Sequence, residues 1–334
     1  SALMNSISIF HSSHYRLSRR TFRVVCLGHC LQEIFLIDHD DFIAKKNSIL
    51  VGEKVAIDQV SYQVGGSATN AAVTFTRHGH QAIVIGNLGV DPAAEAIRDC
   101  LIDENVDTSY LNQTPLQTGV SVILLDSKTA KLTTMTCLGA SSKYNHLSAN
   151  DLDLANPDWL YVTSLNGDMD TLLNFFEKAK ENQIQIMFNP GPEELKQKKK
   201  LLGLLQDVDI LILNQAEARQ IVQGEILEEL LTRLAAYVKT VIITAGSRGA
   251  IATDGKETFR LAEYEQKPPV DPTGAGDAFG AGFLAAKLDG LDFQQSLISA
   301  AANATSVISK VGAKAGILSA DESYHPMPIQ KLDL

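Results

Sequence analysis

The sequence predicts an α/β fold in three layers, a mostly parallel central sheet covered by helices on both faces, with a small separate β lid. Three observations predict it. From Phe22 onward, short apolar runs rich in β-branched residues alternate with helical stretches, the pattern of a sheet buried on both faces. Two excursions, 34–64 and 115–137, are strand-rich and lack a helix, which suits a small sheet lying over a cleft. Near the end, a glycine-rich turn runs directly into a helix of small and apolar residues at 270–283.

The elements follow in order. Arg23–Gly28 reads as a buried strand, Ala68–Arg77 as a helix and Ala82–Gly86 as the next strand. Pro92–Asn105 is expected as a helix, with Asp91 as its cap and Pro92 in its first turn. Trp159–Val162, Ile184–Phe188, Ile210–Leu213 and Val241–Thr244 are expected strands; Met169–Asn182, Gln215–Val222, Leu227–Tyr237, Ala275–Leu288 and Phe293–Val307 are expected helices. Within the second excursion, Val120–Leu124 and Lys131–Thr136 read as a hairpin around Asp126-Ser127-Lys128. Residues 1–22 carry no acid, several serines and a terminal cluster of arginines, so they read as a disordered or tag-like start, with an organelle transit segment as the alternative. One domain is expected over 23–325.

Composition narrows the function. A chain of 334 residues can bury a large core without staples. The formal charge of -10 disfavours nucleic acid or an anionic membrane as partner, yet leaves room for a phosphate site made locally from backbone amides. Cys26, Cys30, Cys100 and Cys137 lack the spacing of a zinc or redox motif, so they are expected as buried free thiols in a cytoplasmic protein. No apolar run is long enough to span a membrane. The remaining histidines (His39, His78, His80, His146 and His325) have no ligand spacing and default to surface or satisfied core positions.

The segment richest in chemistry is Val270-Asp271-Pro272-Thr273-Gly274-Ala275-Gly276-Asp277-Ala278-Phe279-Gly280-Ala281-Gly282-Phe283. Gly274 and Gly276 permit a tight turn, and the amides at the new helix start form an anion site. Asp277 stands out, because a carboxylate beside bound phosphate would repel it. It makes sense facing an acceptor hydroxyl whose proton it takes. A dinucleotide fingerprint fits poorly, since the third glycine is displaced to Gly280, and a Walker A loop is absent. A plain helix start with a glycine turn and an acid in its first turn is the structural alternative.

This segment closely resembles the C-terminal signature of the ribokinase-like (PfkB) carbohydrate kinase family. Val64-Gly65-Gly66-Ser67-Ala68-Thr69-Asn70-Ala71-Ala72-Val73, running on to Arg77-His78-Gly79, is similar to the family's N-terminal signature. Ile85–Asp91, the Asn214-Gln215-Ala216-Glu217 element and Val241–Gly249 resemble further family segments in the right order, so the likeness covers about residues 23–320.

The resemblance implies a ribokinase-like fold, ATP and Mg²⁺ as cofactors, and phosphoryl transfer to a sugar-like small molecule. It makes Asp277 the catalytic base and the amides of Gly274, Ala275 and Gly276 the anion hole. Asn214 and Glu217 would order Mg²⁺ and its waters, although an N-cap with a first-turn acid is the plain reading of that pair. Thr244, Gly246, Gly249 and Asn303 would line the nucleotide. Asp271 and Thr273, with carbonyls near Gly312, resemble a monovalent-cation site that suits K⁺. Gly65, Gly66 and Asn70 would contact substrate hydroxyls, with His29 and Gln32 as further polar neighbours. One departure matters: where many family members carry an aspartate that holds two substrate hydroxyls, this chain has Glu33, longer by one methylene. A nucleoside acceptor is the alternative, its base held by Phe35, Phe42, Tyr62 and Val64; a catalytically silent binder of the same fold is a third. A homodimer joined through the lid is expected.

Overall fold

The computed structural model describes residues 20–38, 52, 54–262, 269–325 and 327–334. A ten-stranded sheet forms its centre. Along the chain the strands are β1 (Arg23–Leu27), β2 (Leu31–Asp38), β3 (Gln59–Gly65), β4 (Gln81–Leu88), β5 (Leu111–Gln113), β6 (Gly119–Asp126), β7 (Leu132–Cys137), β8 (Trp159–Val162), β9 (Gln185–Phe188), β10 (Ile210–Asn214), β11 (Thr240–Thr244), β12 (Ala250–Thr253), β13 (Thr258–Leu261) and β14 (Ile329–Leu332). The central sheet runs β14-β13-β12-β11-β10-β9-β8-β1-β4-β5. Pairing is parallel from β5 through to β11.

Alternation along the strands builds two cores. Val24 and Cys26 of β1 point to one side of the sheet, Val25 and Leu27 to the other. The first core packs against α1 (Ser67–Arg77), α9 (Ala275–Leu288) and α10 (Phe293–Ile308). The second packs against α4 (Met169–Glu181), α6 (Lys198–Leu205), α7 (Gln215–Ile221) and α8 (Leu227–Leu234). Two short helices, α3 (Asp151–Ala155) and α5 (Pro192–Leu195), sit in connections, and α2 (Pro92–Asp103) follows β4. Asp91 caps α2 as expected, accepting from the Ala94 amide at 2.9 Å. At the far end of α9 from Asp277, Asp289 holds His78 at 2.8 Å and His80 at 3.3 Å, both largely buried.

The sheet is mostly parallel, as expected, and one edge is antiparallel. β12, β13 and β14 are antiparallel, and β14 carries the sheet past residue 325. These strands are four residues each and β14 reads Ile-Gln-Lys-Leu, without an apolar run to betray it. Its strand state comes from pairing with β13, which sequence periodicity does not carry. Residues 1–19, including most of the expected tag-like start, lie outside the described residues; Arg20 pairs with Asp158 at 2.5 Å.

The lid is a separate sheet in the order β3-β2-β6-β7, with β2–β6 parallel and the other pairs antiparallel. It begins at Leu31, three residues earlier than expected. The hairpin β6–β7 forms where the sequence places it. Because side chains alternate, the two faces differ. Phe35, Ile37, Ile123 and Leu125 form a small core with Leu132 and Val311 on the inner face, which also carries Glu33. On the outer face lie Ile34, Leu36, Val60, Tyr62, Val122 and Met135. Of these, Val60, Tyr62 and Met135 are about half exposed or more. Among the described residues, no helix is long and apolar enough to cross a membrane.

Candidate active site

The site opens at the C-terminal ends of the parallel strands, where open α/β sheets gather their ligands. Asn214 closes β10 and pairs in register with Thr244, the last residue of β11. The expected nucleotide-side residues therefore meet across one strand boundary. Asn214 and Glu217 form a reciprocal capping box on α7: the Asn214 side chain accepts from the Glu217 amide at 2.9 Å, and Glu217 accepts from the Asn214 amide at 2.8 Å. Burial pushes the Glu217 carboxyl above its usual range, the two bonds with Asn214 pull it back, and the charge of Asp277 adds to the rise. Gly246 has open space where a Cβ would stand, whereas a Cβ on Gly249 would lie 2.2 Å from the Leu261 carbonyl oxygen. Gly249 thus serves the turn and Gly246 leaves room beside it.

The glycine-rich segment is fixed from beneath by Asp271, which is fully buried. One carboxylate oxygen accepts from the Thr273 amide at 2.9 Å and its hydroxyl at 2.6 Å, while the other accepts from the Gly312 amide at 2.8 Å. These bonds join Asp271, Thr273 and Gly312, the three positions expected at a monovalent-cation site. Gly274 then caps α9 with φ 77°, and a Cβ there would lie 2.4 Å from the Ala313 Cβ. The Ala275 amide donates to the Pro272 carbonyl at 3.3 Å, a long bond, and the helix itself offers no carbonyl to the other first-turn amides. A Cβ on Gly276 would meet nothing within 4 Å, so space lies open beside those amides.

Asp277 sits in that first turn, partly buried. Burial raises its carboxyl above the ordinary aspartate range; hydrogen bonds from Asn70 and Ser67 and the charge of Lys314 pull against that rise. The Asn70 amide donates to Asp277 at 2.9 Å. Asn70 belongs to α1, whose cap is Gly66 at φ 93°. A Cβ on Gly66 would stand 2.3 Å from the His29 carbonyl oxygen, and one on Gly65 would stand 2.1 Å from the Glu33 carboxyl. Bare backbone at both positions lets β2, β3 and α1 converge.

Glu33 lies over Gly65 at this junction, buried, with Oε2 unpartnered. Burial drives its pKa up to about 7; Lys314 opposes this, while Asp277 and Asp271 reinforce it. An orphaned buried carboxylate oxygen is costly unless a ligand satisfies it. The outlying expectations fare differently. Gln32, one residue earlier on β2, points to the opposite face of the lid. His29 stacks on Tyr144 with ring centroids 6.1 Å apart. Asn303 is buried, with its amide donating to the Ala278 carbonyl at 2.8 Å and accepting from the Leu318 amide at 2.9 Å. Those bonds commit both polar ends of Asn303 to bracing α9 against α10 and the segment after it.

Two residues of the site escaped sequence reasoning. Ser67 was read only as part of a signature, yet it bonds Asp277. Lys314 is buried, and its ammonium donates to the Val64 carbonyl at 2.5 Å, Thr69 Oγ1 at 2.9 Å and Asn70 Oδ1 at 2.5 Å. Burial brings its pKa down to about 8 against the upward pull of Glu33, Cys100, Asp277 and Cys30. A lone lysine in a glycine-containing turn normally reads as solvated, so no signal marked it.

A model of the pfkB family carbohydrate kinases matches residues 22–320. The ribokinase of Haemophilus influenzae is 27% identical over 299 residues, covering 84% of this chain and 91% of that protein. The nucleoside kinase of Methanocaldococcus jannaschii is 24% identical over 300 residues, covering 88% of this chain and 93% of that one. The structure of Arabidopsis thaliana ribokinase complexed with ribose and ATP shares the fold, with a TM-score of 0.74 at 22% identity over 90% of this chain and 96% of that one. The chain belongs to the pfkB carbohydrate kinase family, and it is a phosphotransferase of the sugar or nucleoside kinase type acting on a hydroxyl acceptor.

Proposed function

We propose that the chain transfers the γ-phosphoryl group of ATP to a hydroxyl of a sugar or sugar-like small molecule, with Asp277 as general base. One observation carries this reading: the Asp277 carboxylate stands in the first turn of a glycine-capped helix, tied by Asn70 to the helix that starts at Gly66. The acceptor hydroxyl gives its proton to Asp277, its oxygen bonds the γ-phosphorus, and the bond to the leaving ADP breaks. Amides of Gly274, Ala275 and Gly276 receive the charge on the transferring group; single donors in comparable anion holes are worth about 3–4 kcal/mol. Glu33, packed over Gly65 with its Oε2 unpartnered, receives acceptor hydroxyls.

The hard oxygen donors of Asn214 and Glu217 suit Mg²⁺, held largely through water. Bound there, the ion would neutralise phosphate charge. The capping bonds do not exhaust Glu217, since a carboxylate accepts about four hydrogen bonds. Glu217→Gln is expected to raise the Mg²⁺ concentration needed for half-maximal rate; an unchanged Mg²⁺ titration would leave Glu217 a cap alone.

A nucleoside acceptor is supported less by the lid. Phe35 is consumed in the lid core, Tyr62 faces outward, Val64 packs against the main core, and Phe42 lies outside the described residues. A silent binder is disfavoured because Asp277, Asn214 and Glu217 are all present. The deciding experiment screens sugars, sugar acids and nucleosides for acceptor-dependent ADP release. Release with sugars and none with nucleosides is expected; turnover of nucleosides alone would favour the second reading.

The outer lid face supports a homodimer. Val60, Tyr62 and Met135 form an exposed apolar group flanked by Ile34, Leu36 and Val122, a face a monomer would leave in water. Light scattering should find a dimer for the native chain and a monomer for Tyr62→Glu. A native monomer at micromolar concentration would contradict this.

A further inference from the structure

We infer that Lys314 is a positioning residue for phosphoryl transfer: it fixes the Asn70 side-chain amide so that its NH₂ group, and not its carbonyl, faces Asp277. The inference rests on Asp277 being the base, and goes beyond it by naming what orients that base.

An asparagine side chain is nearly symmetric in shape, and either end fits the same space. Which end faces Asp277 matters. The NH₂ end donates to the carboxylate, whereas the carbonyl end would set two acceptors against each other in a buried place. An ammonium group only donates, so Lys314 Nζ at 2.5 Å from Asn70 Oδ1 admits one orientation. The amide is then obliged to donate to Asp277 Oδ2, at 2.9 Å. That bond and the one from Ser67 take two of the roughly four positions at which a carboxylate accepts, leaving others for the acceptor hydroxyl.

The lysine is itself immobilised. Its three hydrogens are matched by three acceptors: the Val64 carbonyl in β3 of the lid, Thr69 Oγ1 in α1, and Asn70 Oδ1. Thr69 in turn donates toward the carbonyls of Gly65 and Gly66 at 2.7 and 2.9 Å. One ammonium thus ties the lid strand, the start of α1 and the base into one hydrogen-bonded chain. Burying a cation is costly unless each hydrogen finds an acceptor, so the arrangement holds only in this geometry.

The test compares Lys314→Gln, Asn70→Ala, their double variant and Asp277→Asn, all at saturating ATP and acceptor. Hydrogen bonds to charged groups contribute about 1.5–3 kcal/mol, so Lys314→Gln is expected to lower kcat by roughly ten- to hundredfold, with the KM for ATP little changed. Because the lysine acts through Asn70, adding Lys314→Gln to Asn70→Ala is expected to cost no further turnover. Native kcat in Lys314→Gln, or losses that multiply in the double variant, would overturn the inference. Should Lys314→Gln fail to fold, Asn70→Ala alone decides: the inference requires it to lose kcat at a steady KM for ATP, and native kcat overturns it. Loss of activity in Asp277→Asn beside native Lys314→Gln removes only this inference. Native activity in Asp277→Asn removes the base assignment itself.

Discussion

Asp277→Asn is expected to bind ATP as the native chain does and to turn over acceptor at least a hundredfold more slowly, up to about ten-thousandfold, the range that positioned proton transfer contributes. The substitution keeps the size of the side chain and the helix start around it. It removes the carboxylate proposed to take the acceptor proton at the mouth of the glycine turn. It also relieves a stress: burial disfavours the charged carboxylate, and the bonds from Asn70 and Ser67 work to keep it ionised. The variant should therefore fold at least as well as the native chain, and a calorimetric ATP titration beside a turnover assay separates binding from chemistry. Near-native turnover would take Asp277 out of the reaction.

Gly66→Ala should damage the molecule by a different route. At φ 93° with ψ 131°, Gly66 occupies a backbone region that side chains rarely adopt, costing about 1–3 kcal/mol. The added methyl would also stand 2.3 Å from a backbone oxygen, that of His29, which cannot swing aside as a side chain end can. Overpacking of this kind costs about 1–3 kcal/mol more. The melting temperature should fall by several degrees, and the KM for the acceptor should rise, because the β2–α1 junction that presents Glu33 and Gly65 has to open. Thermal melting with acceptor kinetics checks both. An unshifted melting point would mean that the junction yields without strain.

Much of the fold was legible because its signals are local. The parallel strands announce themselves as apolar runs such as Val241–Thr244, and Asp91 with Pro92 marks a helix start that the structure reproduces. The hairpin β6–β7 could be placed because alternating strands flank a polar turn. β14 was not legible, since a four-residue edge strand owes its state to β13, a partner far back along the chain. The same division runs through the site. Asp277 and the glycine turn sit in one stretch of sequence, and the Asn214–Glu217 box is a spacing rule. Lys314 meets Asn70 across 244 positions, so only tertiary contact reveals it. Asn303 stands between the two cases: the resemblance places it beside the nucleotide, and the structure adds two backbone bonds that only tertiary contact reveals.

The central claim is that Asp277 removes the acceptor proton, and the pH dependence of kcat at saturating ATP and acceptor tests it most directly. Burial lifts the carboxyl above the usual aspartate range, so native turnover should decline on the acid side as a single proton is taken up, at a pH above that of an ordinary aspartate. The residual turnover of Asp277→Asn should be flat over the same interval. If that variant keeps the native acid limb, another group carries the proton and the account is wrong.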